Sequence, residues 1–288
     1  MEKLALYGFN NLTKTLSFNI YDICYAKSER QQQDYIEYID EQYNSERLTS
    51  ILLEVTDMIG AHVLNISKQD YDPQGASVDI LIADQGMPTE TIDPSNNLGV
   101  LTRCAIDEEV SDTQREIYRR LAAHHDEILG HLDKSHLTVH TFPEYHPNNA
   151  ISTFRVDIEV ATCGRVSPLS TLDFLISSFD SDIMTIDYRV RGFTRDRDGR
   201  KYFLDHDITS IQDYIGESTL ALYDALDINV YQSNLFHTKL LIKDIALQKY
   251  VFNDNVAEMD DYERQQITQS LRREMIEIYS GKNIYEGR

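Results

Sequence analysis

A lysine and a serine, Lys134-Ser135, open a run that reads Ser-His-Leu-Thr-Val-His-Thr-Phe-Pro-Glu and closes at Glu144. Further reactive side chains lie on either side of it, Ser77 in Pro73-Gln74-Gly75-Ala76-Ser77 and Cys163 in Thr162-Cys163-Gly164. A serine hydroxyl can attack the carbonyl of the residue before it and turn the peptide bond into an ester. A base can then take the serine Cα proton and eliminate the ester, leaving dehydroalanine. That species hydrolyses to a pyruvoyl group capping the new chain. The ketone forms a Schiff base with an amine and draws electrons from a departing carboxylate, the electron-sink work of pyridoxal phosphate without a bound cofactor.

Singly, these residues have plainer readings. Ser135, Leu137, Val139 and Thr141 alternate with His136, Thr138, His140 and Phe142, as in any half-buried strand. Cys163 alone is a small apolar side chain, inert unless its surroundings lower its pKa. Pro73-Gln74-Gly75 alone is a turn entering a strand, and Glu144 alone is a solvated carboxylate. One constraint follows from spacing. On a strand rising ~3.3 Å per residue, Ser135 and His140 stand about 16 Å apart with side chains on opposite faces. Either the strand bends sharply at Ser135, or any histidine that serves it comes from a second copy of the chain.

Jointly, Lys134–Glu144, Pro73–Ser77 and Thr162–Gly164 resemble, in order and context, the motifs of bacterial S-adenosylmethionine decarboxylase proenzymes, of the longer bacterial subclass. The resemblance implies self-cleavage between Lys134 and Ser135, with Ser135 the pyruvoyl precursor and His140 the base of the elimination. Ser77 would assist ester formation, and Cys163 would protonate the carbanion left by decarboxylation. Glu144 would hold the ribose hydroxyls, and Tyr71 would stack on the adenine, where the family has a phenylalanine. The implied product is the aminopropyl donor for spermidine synthesis. The resemblance also implies at least a dimer, or a tetramer, whose site takes Ser135 and Cys163 from one protomer and Ser77, His140, Glu144 and Tyr71 from its partner. Magnesium is the activator it suggests, with no ligands assigned. A pyruvoyl enzyme acting on ornithine or arginine is the alternative, as is a catalytically dead regulatory paralogue. A carboxylate aimed at ribose favours the nucleoside substrate, and the intact reactive set argues against the dead paralogue.

The elements that must position these residues follow from periodicity. Residues 1 to about 84 read as strand, helix, helix, strand, strand, with Leu48, Ile51, Leu52, Val55, Met58 and Ile59 marking a helix that stops at Gly60. Strands are expected at 62–66, 77–83, 135–142, 154–160 and 183–190. Between the last two, Ser167-Pro168 opens a helix bearing Leu169, Leu172, Leu175 and Phe179. A polar, acidic insert at about 85–130 holds a helix opened by the capping box Ser111 to Gln114. The expected fold is α+β, an antiparallel sheet with helices packed on one face, similar to S-adenosylmethionine decarboxylase. Residues 1–192 would form the decarboxylase core and 193–288 a C-terminal extension, ending in a helix over 260–279 with Ile267, Leu271, Met275 and Ile278 on one stripe.

Whole-chain properties narrow the partners. The 288 residues carry a formal net charge of −21 and 41% apolar composition, enough for a sizeable core but wrong for a phosphate-backbone binder. A negative field suits a sulfonium- and ammonium-bearing substrate such as S-adenosylmethionine. No stretch has the apolar length of a membrane helix, and Met1 to Gly8 lacks a signal-peptide core, so a cytoplasmic protein is expected. Cys24, Cys104 and Cys163 are widely spaced and odd in number, which excludes a disulfide framework. The histidines 124, 125, 131, 136, 140 and 146 match no zinc-ligand spacing, and no protein-bound metal is expected. Asp196-Arg-Asp198-Gly199 lacks the remaining acidic positions of a calcium loop and reads as a hairpin turn.

Overall fold

Alternating buried and half-buried residues make Thr13–Tyr25 a strand, β1, whose Leu16, Phe18 and Ile20 enter the core while Thr15, Ser17 and Asn19 face the other way. The computed structural model describes residues 12–84, 135–147, 149–163, 166–195, 200–203 and 207–284. Lys134, the acidic insert with its capping box, Cys104, Gly164, the histidines 124, 125 and 131, and the turn at 196–199 lie outside them.

Two helices follow β1. Ser28 and Gln31 form a reciprocal capping box at the start of α1 (Glu29–Gln42). The Asn44 side chain caps α2 (Ser45–Met58) by accepting from the Arg47 N–H at 2.9 Å. The chain leaves α2 through Gly60 at φ 68° and turns into the hairpin β2 (Ala61–Asp70) and β3 (Ala76–Asp84). After the insert come the paired long strands β4 (Ser135–His146) and β5 (Asn149–Cys163). A 3₁₀ turn at Pro168–Thr171 leads into α3 (Leu172–Ser178), then β6 (Ile183–Arg191). The C-terminal part adds the short hairpin β7 (Thr194–Arg195) and β8 (Lys201–Tyr202), the turn α4 (Glu217–Leu220), and β9 (Tyr223–Asp227) with β10 (Leu235–Ile242). It ends with α5 (Leu247–Tyr250) and α6 (Asp261–Ser280).

The strands form one eight-stranded sheet in the order β2-β3-β4-β5-β1-β6-β10-β9, antiparallel throughout. The expected one-sided packing holds for α1, α2 and α3. Their Tyr35, Ile39, Leu48, Leu52, Leu172 and Leu175 share one core with Phe18, Val78, Leu137, Val156 and Tyr188 of the sheet. The extension adds a second, smaller layer. Ile267, Leu271 and Met275 of α6 and Tyr250 of α5 pack on Ile23, Ile151 and Ile183, which point from the opposite face at one end of the sheet. The predicted stripe on α6 is thus a buried one, because three sheet side chains there would otherwise face water. The strands run longer than periodicity suggests. β4 continues through Pro143, opposite Phe154, where β3 has already ended and no neighbour on that side requires the missing N–H.

Candidate active site

Ser77 and His140 are directly opposite each other on β3 and β4, so their side chains share one face and lie a cross-strand pair apart. That face is the open one. Along β4 the residues from Ser135 to Thr141 alternate buried and half-buried, with Ser135, Leu137, Val139 and Thr141 toward the helices and His136, Thr138 and His140 away from them. The strand is not bent between Ser135 and His140: Ser135 pairs with Ile82 and His140 with Ser77 in unbroken register. Ser135 and His140 of one chain therefore lie on opposite faces.

The turn before Ser77 shows why Pro73-Gln74-Gly75-Ala76-Ser77 has these residues. Gly75 sits at φ 90°, and a Cβ on it would lie 2.7 Å from the Thr141 carbonyl oxygen, so only glycine lets the turn approach β4. Asp40 of α1 accepts from the Gly75 N–H at 2.9 Å, and burial raises its carboxyl pKa above the usual range. The Thr141 hydroxyl accepts from the Ala76 N–H at 2.7 Å, and the Gln74 side chain donates to the Pro143 carbonyl. Asp40 escapes sequence reading, and Thr141 enters it only as a strand position, since neither side chain is itself reactive. Their effect is to pin Ser77 against His140.

The remaining candidates lie elsewhere on the sheet. Cys163 ends β5 opposite Thr13, and with His136 paired to Ala161, Ser135 begins β4 at that same end of the sheet. Glu144 is on the open-face side of β4, four residues beyond His140, and accepts from the Thr153 hydroxyl at 2.8 Å. The extension reaches it: burial chiefly, then the Glu277 and Glu144 carboxylates, raise the pKa of Glu274 on α6. Tyr71 is exposed in the turn between β2 and β3, its N–H donating to the Gly75 carbonyl at 2.8 Å. One chain thus brings Ser77 and His140 together on the open face and Ser135 and Cys163 to the same sheet end, where Cys163 is on the open-face side and Ser135 on the helix side. Open-face neighbours to which the motifs gave no role are Phe142, with the Arg155 guanidinium 4.4 Å from its ring centre, and Asp157, opposite His140 and held by Asn19 and Arg155. Period-two counting along β5 identifies the face of Arg155 and Asp157. Among the described residues no group of three or more His, Cys, Asp or Glu is placed to hold a metal ion.

Comparison with known proteins bears on which chemistry this arrangement serves. The family model described as S-adenosylmethionine decarboxylase matches residues 34–192. A Clostridium botulinum (strain Eklund 17B / Type B) protein named S-adenosylmethionine decarboxylase proenzyme is 67% identical over 283 residues, covering 98% of this chain and 97% of that protein. This chain belongs to the S-adenosylmethionine decarboxylase family. Proteins of the same name from Alkaliphilus oremlandii and Hahella chejuensis are 66% and 54% identical, over 99% and 98% of this chain and 98% of each relative. A solved chain, Trypanosoma brucei AdoMetDC-delta26, overlays with a TM-score of 0.34 at 14% identity, over 80% of this chain and 66% of that one, too slight a likeness to carry an argument. Membership of the decarboxylase family makes the protein a carboxy-lyase, and its residues 34–192 carry the β3–β4 pairing and both sheet-end groups. No helix among the described residues is long and apolar enough to cross a membrane.

Proposed function

We propose that this chain is a proenzyme that cuts itself between Lys134 and Ser135, converts Ser135 to a pyruvoyl group, and then decarboxylates S-adenosylmethionine to the aminopropyl donor for spermidine synthesis. The observation that carries this reading is the Ser77–His140 pair on the open face, opposite the face that holds Ser135. A serine and a base sit side by side, and the peptide they would serve cannot be their own. The reading therefore assigns Ser77, His140, Glu144 and Tyr71 to one protomer and Ser135 and Cys163 to the other, in a dimer that brings the Ser135 end of one β4 to the Ser77–His140 pair of its partner.

The pyruvoyl group supplies an electron sink for the departing carboxylate. The side chains do the rest. His140 takes the Ser135 Cα proton during processing, Ser77 assists the ester-forming step, and Cys163 returns a proton to the substrate carbon. Glu144, held by Thr153, accepts from ribose hydroxyls and Tyr71 covers the adenine. A substrate without ribose, such as ornithine or arginine, leaves Glu144 no purpose. The net charge of −21 favours encounter with a cationic substrate, and the reading expects a cytoplasmic enzyme. Magnesium remains the activator that this reading suggests, with no ligands assigned.

An intact mass spectrum of purified protein tests the reading. It should show two chains, 1–134 and a pyruvoyl-capped chain built from 135–288, while Ser135→Ala should show one uncut chain with no carbon dioxide release. Cleavage in Ser135→Ala, or a single uncut wild-type chain, would refute it.

A further inference from the structure

The last strand of the sheet is an open edge. β9 lies at the end of the strand order, and its ladder with β10 extends beyond the strand proper. The Lys243 N–H donates to Leu222 O at 3.0 Å, the Ile228 N–H to His237 O at 2.8 Å, and the Val230 N–H to Leu235 O at 2.8 Å. Paired residues of an antiparallel ladder alternate between exchanging hydrogen bonds and exchanging none. The even-numbered residues from 222 to 230 therefore spend their backbone groups on β10, and Tyr223, Ala225, Asp227 and Asn229 point theirs outward. Among the described residues no backbone hydrogen bond meets them on that side.

The even-numbered side chains all project from the face opposite buried Tyr223, and apart from Asp224 they are apolar and exposed: Leu222 at 56%, Leu226 at 49%, Ile228 at 53% and Val230 at 42%. Natural edges are guarded by lysine, proline, bulges or a covering element. This one carries no lysine or proline between residues 222 and 230, and of its two charges Asp227 is held by its own chain, leaving Asp224 as the single outward charge.

We propose that this edge is an interface for a second copy of the chain, joined antiparallel about a two-fold axis that sets Leu226 against the partner's Leu226. In this register outward residues meet outward residues, Ala225 with the partner's Asp227 and Tyr223 with the partner's Asn229, so every unpaired backbone group finds a partner. Leu222 meets the partner's Val230, and Asp224 meets the partner's Ile228, so no aspartate faces another. The Asp227 carboxylate is already occupied, accepting from Thr238 at 2.7 Å and Gln212 at 2.8 Å. A two-fold through Asp227 instead would set the two Asp227 residues side by side and is disfavoured. β9 is at the opposite end of the strand order from β3 and β4, so the interface is distinct from one that shares the Ser77–His140 site. Together the two would make a tetramer.

The test is the mass of the full-length processed protein by light scattering, with cross-linking. Leu226→Glu and Ala225→Pro, which alter only the exposed face and the outward backbone, should halve the mass. Leu226→Cys should form a disulfide-linked dimer without reductant, because residues facing in a non-hydrogen-bonded pair have Cα atoms about 4.5 Å apart. Asp224→Cys, some four residues from its own symmetry mate, should not. Unchanged mass in both disrupting variants, a monomeric wild type, or absence of the Leu226→Cys link overturns the proposal. Cleavage at Ser135 and carbon dioxide release, read in the same samples, should stay at wild-type levels. Their absence from the wild type would defeat the functional reading while leaving the interface result intact.

Discussion

At the scale of single residues, Cys163 and His140 are asked for different protons. Cys163 ends β5 at the sheet end where Ser135 begins β4, whereas His140 stands beside Ser77 further along the open face. Loss of Cys163 should therefore spare processing and damage turnover. Cys163→Ala is expected to yield both cleaved chains and to lose carbon dioxide release on the order of a hundredfold or more, the usual contribution of a general acid. Labelled-carboxyl release at saturating substrate measures it. A Cys163→Ala enzyme that cleaves and turns over at the wild-type rate would remove Cys163 from the mechanism. Gly75 acts at the same scale but through the backbone: its φ of 90° and its closeness to the Thr141 carbonyl allow the turn that seats Ser77. A reactive-residue search does not find such a position, since its purpose is the absence of a side chain.

At the scale of elements, the C-terminal extension is tied to the core through buried acid. Asp22 of β1 and Asp182, which immediately precedes β6, lie next to each other where those strands meet. The Ile23 N–H donates to Asp182 at 2.8 Å and the Tyr250 hydroxyl of α5 donates to it at 2.5 Å, while the Tyr35 hydroxyl of α1 donates to Asp22 at 3.2 Å. Burial raises both carboxyls, Asp182 to about 6 and Asp22 well above the usual range, where Asp182 and Asp180 add repulsion. Cys24, Tyr35, Tyr223 and Tyr250 around them are raised too, burial being the largest cause for each. A raised carboxyl keeps its proton in the folded state after the unfolded chain has lost it. Stability is therefore greatest below the ordinary aspartate range and falls as pH rises through about 4 to 6 and beyond, until the folded group has itself ionised. Asp182→Asn keeps an acceptor for Tyr250 and removes one of the two charges. Its urea midpoint should fall less than that of the wild type between pH 4 and 7, a difference on the order of 1 to 3 kcal/mol. Parallel pH profiles for the two proteins would show that the pair contributes nothing.

At the scale of the whole molecule, Ser135 and His140 lie on opposite faces, and the proposed processing step therefore calls for a second copy of the chain. Co-expression of Ser135→Ala with His140→Ala chains should restore cleavage at Ser135 of the His140→Ala chain, because that chain receives an intact histidine from its partner. Each variant alone should stay uncut. Mass spectrometry of the co-purified pair reads the result, and mixed dimers that form and never cut would exclude a shared site. The extension sets the outer limits of this assembly. Its α5 and α6 cover one end of the open face, its Glu274 comes near Glu144, and its β9 closes the sheet on the side away from Ser77.

The sequence alone determined what depends on neighbouring residues. The alternation through Ser135–Thr141 already separates Ser135 from His140, since side-chain direction along a strand is a matter of covalent geometry. The stop at Gly60 and the stripe on α6 are local in the same sense, and each has its place in the fold. Only the tertiary structure decided which distant residues meet. The pairing of Ser77 with His140 spans the acidic insert, and the meeting of Asp22 with Asp182 joins strands far apart in the chain. Both are set by the packing of the whole sheet on α1, α2 and α3, a sum of many weak burial terms that no short segment records. The same holds for α6. Its stripe announced that it would be buried, and the Ile23, Ile151 and Ile183 side of the sheet, a surface assembled from three strands, decided where.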